Sequence, residues 1–260
     1  MTRNSIIDSI CSAILSSGKI ILSAAEEGLK ITEKTSARDL VTQYDRLVQE
    51  RLIAAISEML PDAQFVSEES SAKGNIDAVD AFIIDPIDGT TNFVHRMGNC
   101  AISVAWYKSG KPFYGAVYDP FAGEFFDAKA GDGAFLNGEP IRVSDVPLKN
   151  SIVLFGTAPY NPELTDETFD LVKSVFGKCQ DVRRMGSAAL DICHVACGRA
   201  GFYFEATLSP WDYAAAAIIL GESGGNLVDL SGNEIKLSLE KTSVVAGNKN
   251  IIAESGIINA

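Results

Sequence analysis

The segment Asp85-Pro86-Ile87-Asp88-Gly89-Thr90-Thr91 holds the densest chemistry in this chain of 260 residues. Asp85 and Asp88 flank a proline that cannot continue a strand ladder and fixes a bend where the apolar run 81–84 ends. Two carboxylates so spaced at a tight turn can converge on one point. Unneutralised, they repel and raise one another's pKa, and a hard divalent cation removes that cost. Gly89 lets the backbone approach a ligand closely. Thr90-Thr91 can open a short helix whose N–H groups suit a phosphate. Taken alone, the segment reads equally well as a solvated Asx turn.

Two other acidic sites change its weight. Glu68 follows the strand-like run Gln64–Ser67, about one strand upstream of Asp85. Farther on, Ser209-Pro210-Trp211-Asp212 opens a helix through 214–220, with Ser209 suited to the N-cap, Pro210 to the first helical position and Asp212 to the first turn. Each has an ordinary explanation by itself: Glu68-Glu69 as a solvated face, Asp212 as a helix-dipole acid beside a packed tryptophan.

The elements that must position these residues are legible as periodicities. Residues 4–27 read as an amphipathic helix on Ile6, Ile7, Ile10, Ile14 and Leu15, followed by a polar loop over 32–38. A second helix spans about 42–60 and stops at Pro61. Residues 64–67 and 81–84 are short strands, the second ending at Asp85-Pro86. Over 100–142, apolar runs separated by Gly and Pro turns predict an antiparallel meander. From Ser151 the rhythm becomes strand–helix: strands at 152–155, 181–184, 202–204 and 226–229, helices at 163–176, 187–197 and from Trp211. The chain therefore divides near residue 147 into a helix-plus-antiparallel half, 1–147, and an alternating α/β half, 148–260.

A formal charge of −12, from 22 Lys+Arg against 34 Asp+Glu, argues against nucleic-acid and anionic-membrane partners, which rest on basic patches. An acidic protein repels a phosphate unless carboxylate-held metal ions reverse the local sign. The N-terminus lacks the apolar stretch and cleavage site of a secretory signal, and no uninterrupted apolar run reaches a membrane span. Cys11, Cys100, Cys179, Cys193 and Cys197 are scattered and odd in number, as for structural thiols in a reducing cytoplasm. His95 and His194 are read as structural.

Glu68, the Asp85–Thr91 motif and Trp211-Asp212 before an alanine-rich helix and Gly224-Gly225 together resemble the inositol monophosphatase family of lithium-sensitive, metal-dependent phosphatases. Lys34, Asp39-Leu40-Val41-Thr42 with Asp45, Gly133–138, Gly186-Ser187-Ala188-Ala189 and Gly198-Arg199-Ala200 fall in the same order, so the resemblance covers essentially the whole chain. It implies a layered αβαβα sandwich (α+β and α/β in class, with an antiparallel N-terminal and a mixed C-terminal sheet), commonly a cytoplasmic homodimer. It further implies two to three Mg²⁺ per site. Glu68, Asp85 and the Ile87 carbonyl would hold one; Asp85, Asp88 and Asp212 a second; Glu68 with Asp45 through water a weaker third. All-oxygen ligands suit magnesium, and the lack of clustered His and Cys argues against zinc.

The implied reaction is hydrolysis of a small phosphorylated polyol, inositol 1-phosphate first, by in-line attack of a metal-activated water. Glu68, Thr90 and Asp45 would handle the water; Asp88, Gly89, Thr90, Thr91, Ala188, Glu205 and Asp212 would hold phosphate and alcohol. Ser187 has no evident base beside it in the sequence. Met97-Gly98-Asn99-Cys100 and the unbroken alanines at 214–217 depart from the family pattern without touching a ligand. Sister families act on fructose 1,6-bisphosphate, nucleotide or histidinol phosphates. A second phosphate would want a basic cluster, for which Arg183-Arg184 is the compact candidate. A non-catalytic metal-binding homologue is the remaining alternative.

Overall fold

Alternation along the strands decides where the layers form. The structure, a computed structural model, describes residues 3–27, 31–33, 40–69 and 74–258. Its first part comprises α1 (Arg3–Glu27), β1 (Ile31–Glu33), β2 (Leu40–Thr42), α2 (Gln43–Met59), β3 (Gln64–Ser67), β4 (Ala81–Asp88), α3 (Thr90–Val94), β5 (Ala101–Lys108), β6 (Lys111–Asp119), β7 (Glu124–Lys129), β8 (Gly133–Leu136) and β9 (Glu139–Ile141). Its second part comprises β10 (Ile152–Phe155), α4 (Thr165–Phe176), β11 (Asp181–Arg183), α5 (Ala188–Ala196), β12 (Phe202–Leu208), α6 (Pro210–Glu222), β13 (Asn226–Val228), β14 (Thr242–Gly247) and α7 (Lys249–Ser255).

Strands β3 to β9 form one sheet in sequence order, and β11-β10-β12-β14-β13 a second. On β4, Phe82 and Ile84 point to a core shared with Ile10, Ile14, Leu52 and Ile56 of α1 and α2. Ala81 and Ile83 point the other way, into a core with α5, α6 and the inner side chains Leu154, Tyr203, Val244 and Ala246 of the second sheet. The opposite face of that sheet, Val153, Phe155, Phe202, Phe204 and Val245, packs on Leu171 and Val175 of α4 and Ile251 and Ile252 of α7. The order of layers is thus helix, sheet, helix, sheet, helix: an αβαβα sandwich.

The central helix layer explains the alanine run. Ala214, Ala215 and Ala216 of α6 are buried between the two sheets, and a Cβ at Gly115 of β6 would meet the Ala215 carbonyl oxygen at 2.5 Å. Only small residues permit that approach.

Four details differ from the sequence expectation. The first sheet is mixed rather than purely antiparallel, because β3 and β4 run parallel. Strand β4 does not end at Asp85 but continues to Asp88 through a bulge. The polar loop after α1 is flanked by the antiparallel pair β1–β2, while Lys34 and Asp39 lie outside the described residues. Strand β14 and helix α7 were not predicted. Helix α1 is also long and apolar enough by composition to cross a membrane over Ser5–Ala25, with mean hydropathy 1.5, a property that counting uninterrupted apolar runs passed over. Ile10, Ile14, Ile21 and Ala24 on one face of it are buried in the protein core.

Candidate active site

Residues three apart on a regular strand point to opposite faces. Asp85 pairs with Ser103 and Asp88 with Ala101, so β4 spends one residue more than β5 between them. Pro86, which has no N–H to give the ladder, lies in that bulge. The extra residue returns Asp88 to the side of Asp85, and both line one cleft. Glu68 at the end of β3, Ile87, Gly89, Thr90 and Thr91, Ala188 at the start of α5, Glu205 on β12 and Asp212 in the first turn of α6 line the same cleft. Every predicted site residue except Asp45 is there. Asp45 is fully buried in α2 behind the cleft, and the Thr90 hydroxyl lies 3.3 Å from its Oδ1 and 3.0 Å from the Ile87 carbonyl oxygen.

Each acid is fixed from its own element. Asp85 Oδ1 accepts the Ile87 N–H at 3.0 Å. Asp88 Oδ2 accepts the Ser187 hydroxyl at 2.5 Å and the Ala189 N–H at 2.7 Å, tying β4 of the first sheet to the start of α5. A carboxylate therefore does stand beside Ser187, contrary to what the sequence suggested; Ser187 also accepts the Leu190 N–H as the N-cap of α5. Asp212 Oδ2 accepts the Ser209 N–H at 2.7 Å, so the helix-capping role and the cleft-lining role coexist in one side chain. Glu205 is no strand-end surface acid. It is buried, Oε1 accepting the Ala158 N–H at 2.8 Å and Oε2 the Tyr203 hydroxyl at 2.6 Å, with its carboxylate flat on Gly156, where a Cβ would come within 2.0 Å.

The electrostatics are those of an uncompensated acid cluster. Burial, then the charges of Glu68, Asp88, Asp212 and Asp45, push Asp85 well above the usual carboxylate range. Burial, then Asp88 and Glu68, do the same to Asp212. Asp88 is raised by burial despite the bonds from Ser187 and Ala189. A divalent cation would supply the missing counter-charge, and four carboxylates with the Ile87 carbonyl form a hard, all-oxygen donor set. Among the described residues, no three acidic, His or Cys side chains already stand as a closed coordination shell. The fit to a metal is therefore one of donor chemistry and charge.

The whole chain carries the matching pattern. Residues 3–259 match the model of the inositol monophosphatase family. The chain belongs to the inositol monophosphatase family. Human inositol monophosphatase 2 is 36% identical over 229 residues, covering 86% of this chain and 80% of the relative. The Nus factor SuhB of Escherichia coli K12 is 34% identical over 227 residues, covering 87% and 84%. The crystal structure of the extragenic suppressor protein SuhB from Bartonella henselae superposes with a TM-score of 0.90 at 30% identity, covering 98% of each chain. Membership of this family brings phosphatase chemistry and dependence on a metal.

Some residues of the cleft escaped the sequence reading. Asp191, on α5, is buried and lines it, yet in sequence it resembles any acid near a helix start. Tyr203, Gly156 and Tyr160 also line it, with no local signal in the sequence to single them out. The basic pair is divided: Arg183 is ion-paired with Asp181 at 2.5 Å, and Arg184 alone reaches the cleft. His95 and His194 do not line the cleft, and all five cysteines are free thiols.

Proposed function

We propose that this protein hydrolyses a small polyol phosphate monoester, with inositol 1-phosphate as the leading substrate and magnesium as the ion. The observation that carries the reading is the Thr90 hydroxyl, placed on the cleft wall within hydrogen-bond reach of the buried Asp45. It offers a proton route from a water in the cleft, through Thr90, to a carboxylate that solvent does not reach. Glu68, opening from β3, is the second group for orienting that water. The Gly89 and Thr90 N–H groups would cradle the phosphate; Asp88, Thr91, Ala188, Glu205 and Asp212 would border the alcohol.

Glu68, Asp85, Asp88, Asp212 and the Ile87 carbonyl would hold the metal, with Asp45 at a more distant third position. Bound magnesium would supply positive charge for the phosphate oxygens and acidify a water. Asp88 and Asp212 are held by neighbouring N–H and hydroxyl donors, so their remaining lone pairs stay oriented toward the cleft without rearrangement. The same reading assigns the half 1–147 most of the ligands and the half 148–260 Asp212 and the alcohol contacts. It extends to lithium inhibition, a homodimer and a cytoplasmic setting.

The test is phosphate release from a panel of inositol 1-phosphate, fructose 1,6-bisphosphate, a nucleotide phosphate and histidinol phosphate, with magnesium present. Inositol 1-phosphate should give the highest kcat/KM, and Asp88→Asn should abolish release while circular dichroism stays native. A clear preference for another panel member would replace the substrate. The name Nus factor on one relative favours a second reading, a metal-binding homologue whose role is not hydrolysis; no release from any substrate would select it.

A further inference from the structure

The two ends of the cleft differ in what answers their acids. Among the described residues that line it, Arg184 is the one Lys, Arg or His. Its nearest sequence neighbour in charge, Arg183, is held by Asp181 and donates to the Val182 carbonyl at 2.7 Å, whereas Arg184 has no hydrogen bond or ion pair among the described residues. Arg184 is exposed, but its guanidinium turns back onto the chain at the edge of the cleft. The guanidinium lies directly on Gly186, where a Cβ would meet Nη1 at 2.6 Å, and Gly186 has the left-handed φ of 94°. The Gly186 carbonyl in turn sits 3.1 Å from where a Cβ of Gly89 would stand, so the guanidinium rests one residue away from the proposed phosphate cradle.

Its electrostatic influence falls on Glu205 and Asp191, which mark the alcohol end. The acceptors there are unequal. Both oxygens of Glu205 already hold internal donors, while Asp191, 1% exposed, keeps Oδ1 without any partner. An unsatisfied buried carboxylate oxygen is costly, and among the described residues the Arg184 guanidinium is the cation whose charge acts on it.

We infer that Arg184 is a specificity-determining residue, donating to hydroxyl oxygens of the substrate's alcohol, and that Asp191 is the positioning residue that keeps its guanidinium over the cleft. The inference rests on the polyol-phosphatase reading and deepens it. A second phosphate at this end would meet two carboxylates against one guanidinium, so uncharged hydroxyls are the fitting partners, and the site selects monophosphates over bisphosphates. Arg184 offers five N–H donors in a fixed fork, which matches two adjacent hydroxyls.

The experiment compares inositol 1-phosphate with p-nitrophenyl phosphate, whose alcohol has no hydroxyls to read, on the full-length protein with magnesium. Arg184→Ala should raise KM for inositol 1-phosphate on the order of tenfold, the worth of one charge-assisted hydrogen bond, with a clearly smaller rise for p-nitrophenyl phosphate and little change in kcat for either. Arg184→Lys should recover part of the loss. Asp191→Asn should raise the same KM less, and the double variant should be no worse than Arg184→Ala. Equal losses on both substrates, or none on either, would overturn the role of Arg184; additive losses in the double variant would remove Asp191 from it. A wild type that releases phosphate from neither substrate sinks the phosphatase reading, and this inference with it.

Discussion

Within one cleft, two groups of buried acids are treated in opposite ways. At the proposed alcohol end, Glu205 receives an N–H from Ala158 and a hydroxyl from Tyr203, and the positive charge of Arg184 acts on it and on Asp191. At the proposed phosphate end, among the described residues, Asp85 receives a single N–H, and the neighbouring charges that act on it are carboxylates. A protein can bury acids by supplying its own donors, which makes a rigid wall. It can also leave them in deficit, which makes a receptor for a cation. In the proposed reading the alcohol end is the wall and the phosphate end the receptor, and the two should respond differently to the same perturbations.

The largest expected effect follows at the phosphate end. Acids whose folded pKa lies above the unfolded value near 4 hold their protons more tightly in the native state. Their favourable contribution is complete below that unfolded value and is lost as pH rises through the folded one. Metal-free protein should therefore lose stability between about pH 4 and neutrality. Magnesium at about 100 times its Kd should restore roughly 2.7 kcal/mol, a rise in Tm of roughly 5–10 °C. Asp85→Asn should reverse the usual sign of a core substitution. It should stabilise the metal-free protein by about 1–3 kcal/mol while cutting phosphate release by at least on the order of 10²-fold. Thermal melts with EDTA and with magnesium, across pH, read both. A destabilised, metal-responsive Asp85→Asn protein would erase the contrast between the two ends.

At the alcohol end a single methyl group should do damage. A Cβ at Gly156 would fall 2.0 Å from the Glu205 carboxylate, which is held on its other sides by Ala158 and Tyr203. Gly156→Ala must displace either the carboxylate or the segment 156–160, whose Ala158 already has φ 41°. We expect a loss of about 1–3 kcal/mol, independent of magnesium, together with a raised KM for the polyol phosphate. A loss that magnesium repairs would place Glu205 in the receptor rather than the wall.

The contrast between the ends also marks what the sequence could reveal. The receptor was legible because its residues sit in compact motifs: Asp85 to Thr91 within one segment, Asp212 beside Ser209-Pro210 at a helix start. Periodicity likewise exposed α1, α2 and the meander, since amphipathic helices and Gly-punctuated strands write their burial into local spacing. The wall was not legible. Gly156, Ala158, Tyr203 and Arg184 come from three separate elements or their loops, and each is locally ordinary. Their meaning arises only when β10 and β12 pair in parallel and bring Phe155 opposite Phe204, one residue from Gly156 and Glu205. The bulge in β4 was hidden for a related reason. Pro86 announced that the ladder would be interrupted, but only pairing with β5 shows the strand resuming at Asp88. The parallel β3–β4 pair and the late β14 are long-range pairings of the same kind.

The smallest effect tests whether the wall owes its charge balance to internal donors. The Tyr203 hydroxyl, 2.6 Å from Glu205 Oε2, is fully buried on β12 beside Asp191 and Asp88 in charge. Tyr203→Phe removes that donor and leaves the ring in place, so packing is nearly conserved and the change isolates one hydrogen bond. The remaining carboxylate should be pushed farther above its usual range, because burial already raises it and the hydroxyl opposes that rise. The cost should be about 1–2 kcal/mol at neutral pH, or roughly 2–8 °C in Tm. It should shrink as pH falls toward 4, where a protonated Glu205 no longer needs the donor. Melting curves of the two proteins from pH 4 to 8 should therefore converge at the acid end. Parallel curves across that range would mean that Glu205 is neutral throughout, and that the wall is balanced by protonation instead of by Tyr203 and Ala158.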